Sequence, residues 1–97
     1  MPTYVTLLEY TQQGISTIES SPRRVEAAKD LIEDLGGEFK GFYLTMGQYD
    51  GITIAEFPDD ETAAEYALIL GKAGNAETET MRAFEQSEFE TIVESIS

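Results

Sequence analysis

The sequence predicts a single α+β domain running strand, helix, strand, strand, helix, strand, with a short helix at the C-terminus. Three observations predict it. Four short runs are rich in β-branched and aromatic residues, two longer segments repeat apolar residues at helical spacing, and glycines punctuate the junctions. At 97 residues, residues 1–97 form one domain with room for one core and no second.

The first strand, Thr3–Thr11, alternates Val5, Leu7 and Glu9 with Tyr4, Thr6, Leu8 and Tyr10, so both faces carry apolar side chains. Residues 12–21 read as a polar connector anchored by Ile15 and Ile18, with Gly14, like Gly47 later, an isolated turn glycine. A helix then opens with Ser21 as N-cap and Pro22 at its first position. Val25, Ala28, Leu31, Ile32 and Leu35 form its apolar stripe, and Gly36-Gly37 supply the positive φ that ends it. Arg23 and Arg24 sit in its first turn, where the helix dipole disfavours cations. They read as two solvated arginines or, more sharply, as an anion site or a salt bridge to another subunit.

Residues 38–46 form a second strand, with Phe42, Leu44 and Met46 on one side and Phe39, Tyr43 and Thr45 on the other. Gly47-Gln48-Tyr49-Asp50-Gly51 is a turn, and Ile52–Phe57 completes a hairpin. Pro58-Asp59-Asp60-Glu61 opens a second helix, with acids at its positive end. Its sheet-facing side is read as Ala63, Ala64, Ala67, Leu68 and Gly71, leaving Tyr66 and Ile69 off that face, and Gly71 and Gly74 loosen and end it. Ala76–Phe84 alternates Thr78, Thr80 and Arg82 with Glu77, Glu79 and Met81, a fourth strand. Ser87-Glu88-Phe89-Glu90 reads as a capping box before a terminal helix whose buried stripe is Phe89, Ile92, Val93 and Ile96.

This order is that of the ferredoxin-like plait, a four-stranded antiparallel sheet, read here with strands one and three central and mutually parallel. Both helices then cover one face. The other face keeps apolar side chains that a partner or ligand would cover, and a homodimer or larger even-numbered assembly is expected there.

Composition narrows the chemistry. The chain has no cysteine, histidine or tryptophan, which excludes thiolate nucleophiles, disulfides, imidazole bases and His-ligated haem. Six scattered Lys and Arg against nineteen Asp and Glu argue against binding nucleic acid or an anionic membrane. The N-terminus lacks a signal-peptide pattern, so a cytoplasmic setting is expected. The side chains singled out as ligand-binding or structural positions are Tyr10, Tyr43, Tyr49, Asp50 and Arg82; no catalytic residue, metal ligand or cofactor is assigned. Tyr49-Asp50 could bind or move a proton, but Asp favours turns by accepting backbone N–H groups, and Tyr packs over a sheet edge with its hydroxyl wet. Arg82 could fork onto a carboxylate ligand or pair with one of the chain's own acids. Glu77 and Glu79 are close enough in sequence to hold a hard cation, which chance explains as well in so acidic a chain.

The tract Gly47-Gln48-Tyr49-Asp50 resembles that of the GYD-domain family. The likeness extends through Pro2-Thr3-Tyr4-Val5, Tyr10-Thr11-Gln12-Gln13-Gly14-Ile15, and the run from Ser21-Pro22-Arg23-Arg24 to Ala28. It continues through Gly36-Gly37, residues 41–45, residues 58–64, Gly74-Asn75 and residues 78–84. Arg24 departs from the family pattern, in which an acid is more usual there. The resemblance implies kinship with dimeric α/β-barrel proteins, in which two plaits pack sheet against sheet. It brings no assigned activity.

Three functions follow as expectations: a homo-oligomeric binding or accessory module without catalysis, a small cofactor-free monooxygenase- or isomerase-like enzyme working between helices and sheet, or a sensor of an unknown small molecule. A deep polar-lined cavity favours the enzyme, and a shallow packed cleft the accessory module. The formal charge of −13 reads either as an ordinary solvated acidic surface or as adaptation to a high-salt cytosol. The halophilic reading predicts that the melting temperature climbs between low and molar KCl; a flat or falling curve contradicts it.

Overall fold

The computed structural model describes all 97 residues. Strands β1 (Thr3–Tyr10), β2 (Glu38–Leu44), β3 (Gly51–Glu56) and β4 (Ala76–Ala83) form one sheet in the order β2-β3-β1-β4. Helices α2 (Ser21–Asp34) and α3 (Asp60–Ala73) are the two crossovers. A short α1 (Gln12–Ser16) precedes α2, and α4 (Gln86–Ile96) ends the chain. This is the ferredoxin-like α+β arrangement.

β1 and β3 lie side by side at the centre, but they run antiparallel, not parallel. Thr3 opposes Glu56 and Leu8 opposes Gly51. The reason is topological: the crossover through α2 makes β1 parallel to β2, and the hairpin then reverses β3. Every neighbouring pair in the sheet is antiparallel.

The core lies between the sheet and the helices. Tyr4, Ile32, Ala55, Phe57, Ala63 and Tyr66 are its buried members, with Ala28, Leu31, Leu35 and Phe39 packed around them. The Phe57 ring stands 5.2 Å from Tyr66 and 5.7 Å from Tyr4, centroid to centroid. The Tyr4 hydroxyl donates to Asp60 in the first turn of α3, tying that helix to the central strand.

Several local readings change. The buried face of α3 centres on Ala63 and Tyr66, not on its run of small residues: Tyr66 is 1% exposed and Leu68 74%. A large aromatic here reaches down between α3 and the sheet, where alanines would leave a gap. In β2 a bulge between Phe39 and Gly41 shifts the alternation. Phe39 opposes Ala55 and Phe42 opposes Thr53, so both phenylalanines face the helices, although they were expected on opposite sides.

The expected connector 12–21 contains α1, capped by Thr11, whose side chain accepts from the Gly14 N–H. Gly14 is a close-approach residue inside this helix rather than a turn residue. A Cβ there would lie 1.9 Å from the Asn75 carbonyl oxygen. α2 begins one residue early, with Ser20 in the cap position and no side-chain cap; the Ser21 hydroxyl bonds Tyr10 instead. Gly36 (φ 85°) follows α2, and Gly74 (φ 82°) caps α3, which Asp59 opens by accepting the Thr62 N–H.

The capping box of α4 is Glu85 with Glu88, not Ser87 with Glu90. Its apolar stripe is not buried: all eleven residues of α4 are exposed, Phe89 by 59% and Ile96 by 81%. Only 10 of 97 residues are buried in the whole chain. The radius of gyration, 14.6 Å, exceeds the roughly 12.5 Å of a compact chain of this length.

Two measurements check this core. Tyr66→Ala should destabilise the fold by about 3–5 kcal/mol, as loss of a buried aromatic does, and Leu68→Ala by under about 0.5 kcal/mol. Burial raises the Tyr66 hydroxyl from 10.0 to about 12. Its stabilisation is full below the unfolded value of about 10 and is lost as pH rises towards 12. Alkaline denaturation should therefore weaken in Tyr66→Phe.

Candidate functional site

α2 packs mainly on β2 and α3 mainly on β4, so the helices stand apart over the central strands. The cleft between them has a volume of about 260 Å³. Leu8, Val25, Leu31, Phe42, Ile69 and Leu70 form its apolar walls. Tyr10, Ser21 and Arg24 supply polar groups, and Tyr10 and Ser21 hydroxyl oxygens are 2.8 Å apart in a hydrogen bond. Arg24 donates through Nη1 to the Thr17 carbonyl (3.2 Å) and Thr17 Oγ1 (3.0 Å), and through Nη2 to the Gly14 carbonyl (3.0 Å). α1 thus supplies a carbonyl cradle for a cation in the first turn of α2. The cleft is open and mostly apolar, neither a deep polar-lined cavity nor a shallow packed one.

The five side chains singled out from sequence do not converge. Tyr10 lines the cleft. Tyr43 lies on the opposite sheet face, across from Ile52, and is exposed. Tyr49 reaches to β4, where its hydroxyl donates to Glu79 Oε2 at 2.7 Å, so it has a protein partner where a solvated hydroxyl was expected. That bond raises the Tyr49 hydroxyl above its usual range. Arg82 pairs with none of the acids; its guanidinium lies 4.8 Å from the Phe84 ring centroid. It shares the helix-side face with Thr80, whose hydroxyl lies 3.4 Å from that of Thr6.

Asp50 holds the hairpin to β1 rather than to turn amides. Its backbone N–H donates to the Leu8 carbonyl (2.8 Å), and its Oδ2 accepts from the Tyr10 N–H (2.9 Å). The carboxylate replaces the next carbonyl of β3, extending the ladder past the strand end. The turn itself is closed by Thr45, whose N–H donates to the Asp50 carbonyl and whose hydroxyl donates to the Tyr49 carbonyl.

The helix-free face centres on Val5, Leu7, Ile52, Ile54, Tyr43 and Met81. Glu9, Glu56, Glu77 and Glu79 share this face, and the chain's two ion pairs join Lys40 to Glu38 and Glu56. No group of three or more acidic side chains is placed to hold a metal. No helix is long and apolar enough to cross a membrane. Sequence reasoning missed Phe39 beside Phe42 because a bulge has no fixed residue signature, and it missed the partner of Ser21. Thr11 before Gln12-Gln13 was an available signal for α1.

The ladder role of Asp50 predicts a loss of about 1 kcal/mol in Asp50→Ala, the low end of the penalty for a donor left without an acceptor, because the Tyr10 N–H is only part-buried. Asp50→Asn should lose less, since its amide oxygen still accepts. Unchanged melting in Asp50→Ala removes this account.

Residues 4–93 match the GYD domain. The glutamine synthetase and cystathionine beta-lyase binding protein of Thermus thermophilus is 32% identical over 84 residues, which span 86% of this chain and 88% of that protein. The crystal structure of TTHA0845, also from Thermus thermophilus, is 25% identical and covers 88% of this chain and 95% of that one, with a TM-score of 0.54. Matched over nearly its whole length, this chain belongs to the GYD domain family.

Proposed function

We propose that this chain is a non-catalytic, homo-oligomeric accessory protein that pairs with a second copy through its open sheet face and, so assembled, docks onto an enzyme. The bare apolar face of the sheet carries this reading. Four strands about 4.8 Å apart and about seven residues long project roughly 450 Å², and the accessible surface of such a face exceeds its projection, towards the roughly 800 Å² per partner of a stable interface. The exposed stripe of α4, about 16 Å long, is further uncovered apolar surface, and α4 is assigned to the same second copy.

The relative's name supports the enzyme partner, since that protein is named for binding glutamine synthetase and cystathionine beta-lyase. The lining of the cleft supports the absence of catalysis. It holds hydroxyls, the Asn75 amide and Arg24 but no carboxylate, and its Tyr66 hydroxyl is held near 12. Proton transfer near neutral pH calls for a group that titrates near it. A high-salt cytoplasm accords with nineteen acids of which only Glu38 and Glu56 are in ion pairs.

Light scattering in molar KCl at micromolar protein should give an even multiple of 10.7 kDa. Ile54→Lys should shift the mass to a monomer with melting still cooperative, and Leu68→Lys on the far side of α3 should leave it unchanged. A monomeric parent chain sinks the assembly. Immobilised protein should then retain glutamine synthetase or cystathionine beta-lyase purified from the same source, and retention of neither removes the assignment of these enzymes.

A further inference from the structure

We propose that the cleft between α2 and α3 binds a small carboxylic acid with an apolar body, its carboxylate held by Arg24. The cleft lies on the opposite side of the sheet from the pairing surface, so this inference stands apart from the oligomer.

Three observations converge on it. First, a cleft of about 260 Å³ remains between the helices, walled by Leu8, Val25, Leu31, Phe42 and Leu70. Apolar walls of this kind take up an apolar body, and a few placed polar groups orient it.

Second, Arg24 lines this cleft and has no carboxylate within 4.0 Å, although the chain carries nineteen. Its three bonds all go to neutral oxygens, the carbonyls of Gly14 and Thr17 and the Thr17 hydroxyl. Those bonds fix the guanidinium without neutralising it. A guanidinium has five N–H donors, and Nε–H is not among those used here. An arginine so held retains donors for a carboxylate.

Third, the hydroxyls of Tyr10 and Ser21 share the same lining and are bonded to each other. Each can turn to donate to a carboxylate oxygen. Ser21 and Arg24 both belong to the first turn of α2, where the backbone dipole also favours an anion. In a chain of charge −13, the cleft lining holds one cation and no acid.

The probes are octanoate and 1-octanol, which share a chain and differ in the charged end. Titration calorimetry in molar KCl should give one octanoate per chain, bound about tenfold more tightly than octanol. Amide shifts in NMR spectra should move at Leu8, Val25, Phe42 and Leu70 and not at Val5 or Met81, which neither line the cleft nor adjoin residues that do. Arg24→Gln should bring octanoate down to the affinity of octanol while leaving octanol unchanged. Ala28→Phe and Ala73→Leu, which narrow the cleft from either wall, should reduce binding of both probes. The proposal is overturned if neither probe binds the parent protein, if the two bind equally, or if Arg24→Gln leaves their ratio intact. Should the narrowed variants fail to fold, the Arg24→Gln ratio decides alone. Light scattering on the same samples separates this result from any change of assembly.

Discussion

Both crossovers of the chain turn the same way, and the remaining structure depends on that. A strand feeding a helix that returns to the same sheet does so with a right-handed turn. Applied to β1-α2-β2 and β3-α3-β4 over one sheet, the rule places α2 and α3 on a common face, where Ile32, Ala63 and Tyr66 share one core. One face is therefore covered by two helices and the other by none. The helices sit over the outer strands, and the space above β1 and β3 is filled chiefly by the Tyr4, Phe57 and Tyr66 rings at one end. The other end stays open as the cleft. The bare face, the cleft and the short list of buried residues share this one origin.

The open end of the cleft is organised by contacts that begin in α1. The Thr11 N–H donates to the Asn75 carbonyl at 3.2 Å, and its hydroxyl to the Gly74 carbonyl at 2.7 Å. Gly14 lets α1 press against that loop, which no side chain would permit. So fastened, α1 points the Gly14 and Thr17 carbonyls at Arg24. On the adjoining strand, Asp50 fixes the backbone of Tyr10 while the Tyr10 hydroxyl meets Ser21. Two positions that look unrelated in sequence, a turn aspartate and a helix-start serine, therefore act on the same tyrosine.

The order of the elements was legible because each boundary carries its own local chemistry. Gly36, Gly74 and Asp59 end or open helices through φ values and caps that depend on neighbouring residues alone. The faces were less legible. Phe39 and Phe42 share a side only because of a bulge, and Tyr66 is central only because the sheet offers Phe57 beneath it. Neither follows from spacing. The stripe of α4 was recognisable as apolar, but an amphipathic pattern does not say whether the surface it meets belongs to its own chain. Arg24 was marked by its unfavourable place in the first turn, yet its cradle depends on α1, which read as irregular chain.

In the proposed pairing, charge and apolar attraction act on one surface. Glu9, Glu56, Glu77 and Glu79 share the open face with its apolar centre, and Lys40 is the cation paired beside them. Bringing two such faces together places like charges opposite one another and joins two chains that each carry −13. The apolar attraction is short-ranged and nearly indifferent to simple salt. The repulsion reaches about 10 Å at 0.1 M salt but only about 3 Å at 1 M. At low salt it therefore acts across the whole sheet, while at molar salt it fades within one strand spacing. The fold itself holds charges already separated over its surface, whereas pairing adds new close contacts between acids. If the chain pairs as proposed, association should accordingly respond to salt more steeply than the folding of one chain, because the acids of the open face oppose pairing most strongly in dilute salt.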